Sequence, residues 1–112
     1  MFEKNMRLAY LFDFYIEMFD EHSQQIMSAY YEDDLSLAEI AANVGISRQG
    51  VRHVIKKCEE QLISLEDRLS LVKKHEATEG AIEKLIEVSE SISDEGAARK
   101  INEVIEILRN GV

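Results

Sequence analysis

"LAEIAANVGISRQGVRHVIKK", residues 37–57, decides the fold. Ser36 precedes it and Glu39 follows three residues later, the spacing of a capping box. The serine hydroxyl takes one free amide of the first turn, and the carboxylate reaches back to another. Leu35 and Ile40 flank that cap at hydrophobic-staple spacing. A helix is therefore expected from Leu37 to about Val44, ending where Gly45 supplies the left-handed backbone of a tight turn. Ser47 caps the next helix, with Ile46 and Val51 as a second staple. So short a turn forces the two helices to cross steeply.

Close crossing of two helices has positional demands. Counted from Leu37, Ala41 is fifth, where only a small side chain fits, and Gly45 is ninth, at the turn. Ile40, Val44, Ile46, Val51 and Val54 occupy the fourth, eighth, tenth, fifteenth and eighteenth places, which must be apolar. All seven conditions are met within 18 residues. The stretch reads as a helix-turn-helix.

Its second helix is two-faced. At 100° per residue, Val51, Val54, Ile55 and Cys58 share one side, while Arg48, Gln49, Arg52, His53, Lys56 and Lys57 spread over the other. The forked donors and acceptors of Arg and Gln match guanine and adenine edges in the major groove. Lysines suit phosphates, as do the free amides at a helix start. The chain has a formal net charge of −9, yet residues 36–57 hold four bases and one acid. Residues 1–35 hold two bases and eight acids, and residues 58–112 seven bases and thirteen acids. Only the quoted stretch is basic.

Outward from it, the pattern stays helical. Residues 5–19 repeat apolar side chains at spacings of three and four (Leu8, Leu11, Phe12, Tyr15, Ile16, Phe19). Asp20 caps a helix over about residues 21–31, and "EDD" at 32–34 leads out of it. Beyond residue 48, Val51, Ile55, Cys58, Leu62, Leu65, Leu69 and Val72 form a heptad seam, which predicts one helix from 48 to about 75. Such a stripe is either core packing or, over Leu62, Leu65, Leu69 and Val72, a seam for self-association, with a homodimer as the expected form. "HEATEG" at 75–80 reads as a break. Helices over about 79–90 and 94–109 follow, with Ser93 as the cap between them and Gly111 as the stop. The expected division is a helical domain over residues 1–75 and a C-terminal helical hairpin over 76–112 that packs or oligomerises.

Composition agrees with an all-α chain. At 112 residues it is one domain-sized unit; it has no proline and five glycines, so the punctuation of many short strands is missing. No apolar run approaches the roughly 20 residues of a membrane span. "MFEKNMRLAY" lacks the order of a signal peptide. The single cysteine, Cys58, forms no internal disulfide and fits a cytoplasmic setting. Cys58 falls on the apolar seam as a small buried residue, and His53 is a contact residue of the polar face. His22 and His75 stand isolated, and no His, Cys, Asp or Glu set has zinc-ligand spacing. The tyrosines and phenylalanines of 10–31 read as core and rim. No glycine-rich phosphate loop or nucleophile motif occurs, so the reading is a non-enzyme with no metal and no cofactor.

"SLAEIAANVGISRQGVRHVIKK" resembles the helix-turn-helix of the bacterial sigma-factor region 4 class. "MRLAYLFDFY" at 6–15, "SAYYEDDLSLAEIA" at 28–41 and "SRQGV" at 47–51, followed by a long acidic helix, resemble the YlxM family. These are small proteins with a proposed DNA-binding role, encoded beside the signal-recognition-particle GTPase gene. The likeness covers roughly residues 5–75. It implies an all-α fold of the sigma region 4-like, winged-helix-like DNA-binding class. It also implies a recognition helix starting at Ser47, with Arg48, Gln49, Arg52, His53, Lys56 and Lys57 facing DNA. Gly50 departs from the expected alanine; glycine inside a helix costs about 1 kcal/mol, which loosens the first turn.

Two functions follow from the sequence. One is a DNA-binding transcriptional regulator, dimeric, with a link to the signal-recognition-particle pathway that rests on the resemblance. The other is a protein-interaction adaptor for that particle or for the transcription machinery, in which the basic face is only a solvated helix surface.

Overall fold

The computed structural model describes residues 5–110. Among them the secondary structure is six α-helices and one 3-10 turn, with no strand. The helices are α1 (Met6–Tyr15), α2 (Glu21–Tyr31), α3 (Leu37–Val44), α4 (Arg48–Leu69), α5 (Leu71–Ser91) and α6 (Glu95–Asn110). The chain divides into two compact units between Leu71 and Val72.

In the first unit α4 is the hub, packing against α1, α2 and α3. Its heptad stripe, Val51, Ile55, Cys58 and Leu62, is buried, as the sequence spacing requires. The neighbours supply Leu11, Phe12 and Tyr15 from α1, Ile26, Met27 and Tyr30 from α2, and Ile40 from α3. Asn5 caps α1 through its side chain, accepting the amide of Arg7 at 2.9 Å. The first helix is shorter than its periodicity suggests: it ends at Tyr15 and tightens into a 3-10 turn over Ile16–Met18. Phe19 then turns extended (φ −108°, ψ 150°), which buries its ring beside Phe12 at a centroid distance of 6.0 Å. Asp20 restarts the helix as the cap of α2, accepting the Ser23 amide at 2.8 Å.

The predicted helix from 48 to about 75 is not continuous. It ends at Leu69, because Ser70 adopts a left-handed backbone (φ 54°) and donates its amide to Glu66 O at 2.8 Å. Tyr15 completes the stop from α1. Its hydroxyl donates to Glu66 Oε1 at 2.5 Å and accepts the amide of Leu71 at 3.2 Å, satisfying the first orphan donor of α5. The seam residues accordingly part company. Leu62 is fully buried, Leu65 is half-buried, Leu69 is 42% exposed, and Val72 lies on α5 beyond the break.

In the second unit α5 runs through "HEATEG" without interruption. Gly80 weakens a helix interior by about 1 kcal/mol but, with no proline present, does not end it. A three-residue link then leads into α6, where Asp94, not Ser93, acts as the cap, accepting the Gly96 amide at 2.9 Å. Ser89 of α5 donates to Asn102 Oδ1 of α6 at 3.2 Å, so the chain doubles back as a hairpin. Ile82 and Ile105 are its buried apolar residues besides Val72. The expected stop at Gly111 lies outside the described residues.

Candidate nucleic-acid interface

The turn between α3 and α4 is built as its residues dictate. Ser36 Oγ accepts the Glu39 amide at 3.1 Å, and Glu39 Oε1 accepts the Ser36 amide at 3.0 Å, closing the capping box. Gly45 takes φ +77° and donates its amide to Ala41 O at 2.9 Å. Ser47 Oγ accepts the Gly50 amide at 2.9 Å and so starts α4. Gly50 is closely approached in that first turn. A methyl there would stand 3.3 Å from both Ile46 Cδ1 and Ser47 Oγ, so glycine lets the staple residue and the cap close over the helix start.

All seven residues singled out from sequence are exposed: Ser47, Arg48, Gln49, Arg52, His53, Lys56 and Lys57. Ser47 caps α4 and the other six occupy its first three turns, outside the buried residues Val51, Ile55 and Cys58. Among the described residues none of the four cations has a carboxylate within ion-pair distance. The first turn of α4 contains no acid, so its amides and Arg48 add to one positive end.

Neighbouring charge bounds the surface. Asp20, the cap of α2, is held below the usual carboxylate range, first by the Ser23 amide and in smaller part by the charge of Lys57. Lys57 therefore sits at the acidic edge. On the other side, burial raises the pKa of the Tyr30 hydroxyl; Glu59 adds to the rise and Arg52 opposes it. Past Lys57 the helix turns acidic, with Glu59, Glu60, Glu66 and Asp67. Glu59 and Glu66 are each held by a tyrosine, Tyr31 and Tyr15 respectively. Sequence reading placed these tyrosines in the core and rim without their hydroxyl partners, which are 28 and 51 residues away along the chain.

Among the described residues, no group of three or more His, Cys, Asp or Glu is placed to hold a metal ion. Cys58 is buried, and burial raises the pKa of its thiol, so it is not poised as a thiolate. No helix among them is long and apolar enough to cross a membrane.

A capped helix, a left-handed glycine turn and a second helix with a buried stripe and an exposed polar face define an all-α helix-turn-helix protein. More particularly, the chain belongs to the UPF0122 family, described as "Putative helix-turn-helix protein, YlxM / p13 like", whose model matches residues 2–104. It is similar to the UPF0122 protein of Bacillus thuringiensis, 40% identical over 111 residues, covering 96% of this chain and 99% of the relative. The UPF0122 protein of Halalkalibacterium halodurans is 36% identical over 108 residues, 96% of both chains. That of Clostridium kluyveri is 32% identical over 110 residues, 98% of this chain and 99% of the relative. The family match extends through α5 and into α6, well past the 75 or so residues in which the sequence resemblance was read.

Proposed function

We propose that this protein binds duplex DNA with the N-terminal half of α4 and acts as a non-enzymatic transcriptional regulator in the cytoplasm. The observation that carries this reading is the exposed set Arg48, Arg52, Lys56 and Lys57, without an ion-pair partner among the described residues, on the second helix of a helix-turn-helix in a chain that is otherwise acidic. Arg48, Gln49 and Arg52 are the base-edge readers, and Ser47, Lys56 and Lys57 meet phosphate, with His53 as a further polar contact. Acting as a homodimer, two copies reach half-sites about 34–36 Å apart. A link to the signal-recognition-particle pathway belongs to the same reading and rests on the family resemblance.

Fluorescence anisotropy with a labelled duplex from the protein's own promoter region, against scrambled duplex, tests the reading. Arg48→Ala/Arg52→Ala is expected to remove selective binding, each lost base contact weakening discrimination by about 1–3 kcal/mol. Equal binding by the double variant overturns it.

A second reading is favoured by a different surface. Met18 and Ile63 are 64% and 49% exposed, and Met18, Phe19, Gln61, Ser64 and Leu65 line an open cavity of about 260 Å³. A protein-interaction adaptor for the signal-recognition particle or transcription machinery would dock there. Such an adaptor tolerates the double arginine variant and fails when Leu65 or Leu69 is made polar. Leu62 is unsuited to that test because it is core: truncating a fully buried leucine costs about 2–5 kcal/mol of stability whatever the partner.

A further inference from the structure

Arg52 and Glu59 lie seven residues apart on α4, on one stripe of the helix and about 10.5 Å apart along its axis. That separation is within the combined reach of an arginine and a glutamate side chain. Lys56 is nearer still, three residues before Glu59, where helical side chains are direct neighbours. Glu59 is thus placed to neutralise two cations of the basic face. It does not do so. The carboxylate, half-buried, accepts the hydroxyl of Tyr31 from α2 through Oε2. Tyr31 is itself steadied by an edge-on contact with Tyr30, ring centroids 5.0 Å apart. One heptad further along, Tyr15 of α1 holds Glu66 in the same manner. The first of the α4 acids after the basic half is therefore tied to α2.

We infer that Tyr31 is a positioning residue of the DNA-facing surface, holding Glu59 away from Arg52 and Lys56 so that both cations stay free for phosphate or base edges. This rests on the DNA-binding reading. Freed from the hydroxyl, Glu59 pairs with Lys56 or Arg52 and sets a negative charge beside the phosphate track. Glu60, exposed and four residues after Lys56, has no hydroxyl partner among the described residues and serves as the comparison.

The test measures anisotropy of a labelled promoter duplex with wild-type protein, Tyr31→Phe, Glu59→Gln and the double variant at low salt. Tyr31→Phe is expected to weaken binding about two- to five-fold, the scale of one solvent-screened charge pair. Glu59→Gln is expected to bind at least as tightly as wild type, and Tyr31→Phe to have no further effect in that background. Unchanged affinity in Tyr31→Phe, equal loss in both backgrounds, or weaker binding by Glu59→Gln overturns the role while leaving DNA binding intact. Wild-type protein that binds no duplex overturns the DNA-binding reading and this role with it. Tyrosine ionisation followed by ultraviolet absorbance is a readout free of DNA. Burial and Glu59 raise the pKa of Tyr31, so Glu59→Gln is expected to lower it, and no change shows that the pair is not formed.

Discussion

Gly45 carries the turn alone. A Cβ added there meets nothing within 4 Å, so any cost of Gly45→Ala comes from the backbone at φ +77°. That cost is about 1–2 kcal/mol for an L-residue, measurable by urea unfolding. The position was legible in the sequence because its logic is local: a cap before, a periodic helix, a glycine after. The same holds for Ser36 with Glu39, and for Ser47. Where two adjacent residues can both cap, as with Ser93 and Asp94, spacing alone could not choose, and Asp94 does the work. At Gly50 the close approach of Ile46 and Ser47 is a matter of side-chain packing that helix propensity does not record.

The helix-turn-helix and α2 follow their apolar periods closely, α2 to the residue, while α1 stops short of its own. The junction after α4 does not. Apolar spacing continues through Ser70 to Val72, and the break comes from Tyr15, 51 residues from Glu66 and 56 from Leu71. Such a long-range hydrogen bond leaves no mark on local pattern. Tyr15→Phe removes the hydroxyl's bonds to Glu66 and to the Leu71 amide, and is expected to lower stability by about 1–2 kcal/mol. Ser70→Gly relieves the left-handed backbone and is expected to raise it by about 0.5–1 kcal/mol. Thermal and urea unfolding check both signs; loss of stability in Ser70→Gly would contradict the strained stop.

For the whole molecule, charge distribution is the organising feature. Acids dominate residues 1–35 and 58–112, and such a field repels a polyanion unless the basic stretch is presented apart from it. Within the first unit the face of α4 over residues 48–57 is exposed and basic, and two acids that border it, Asp20 and Glu59, are occupied by the Ser23 amide and the Tyr31 hydroxyl. Self-association was readable only as a stripe. The buried Leu62 and the stop at Ser70 divide that stripe between the first unit's own core and an exposed end at Leu69. The most direct test of the central claim is the salt dependence of binding to promoter duplex. Each phosphate neutralised contributes about −0.9 to the slope of log K against log salt. With Lys56 and Lys57 as the phosphate contacts, a slope of about −2 per protomer is expected, kept in Arg48→Ala/Arg52→Ala and lost in Lys56→Ala/Lys57→Ala. A slope near zero, or no binding by folded protein at about 50 mM salt, would contradict DNA recognition by this helix.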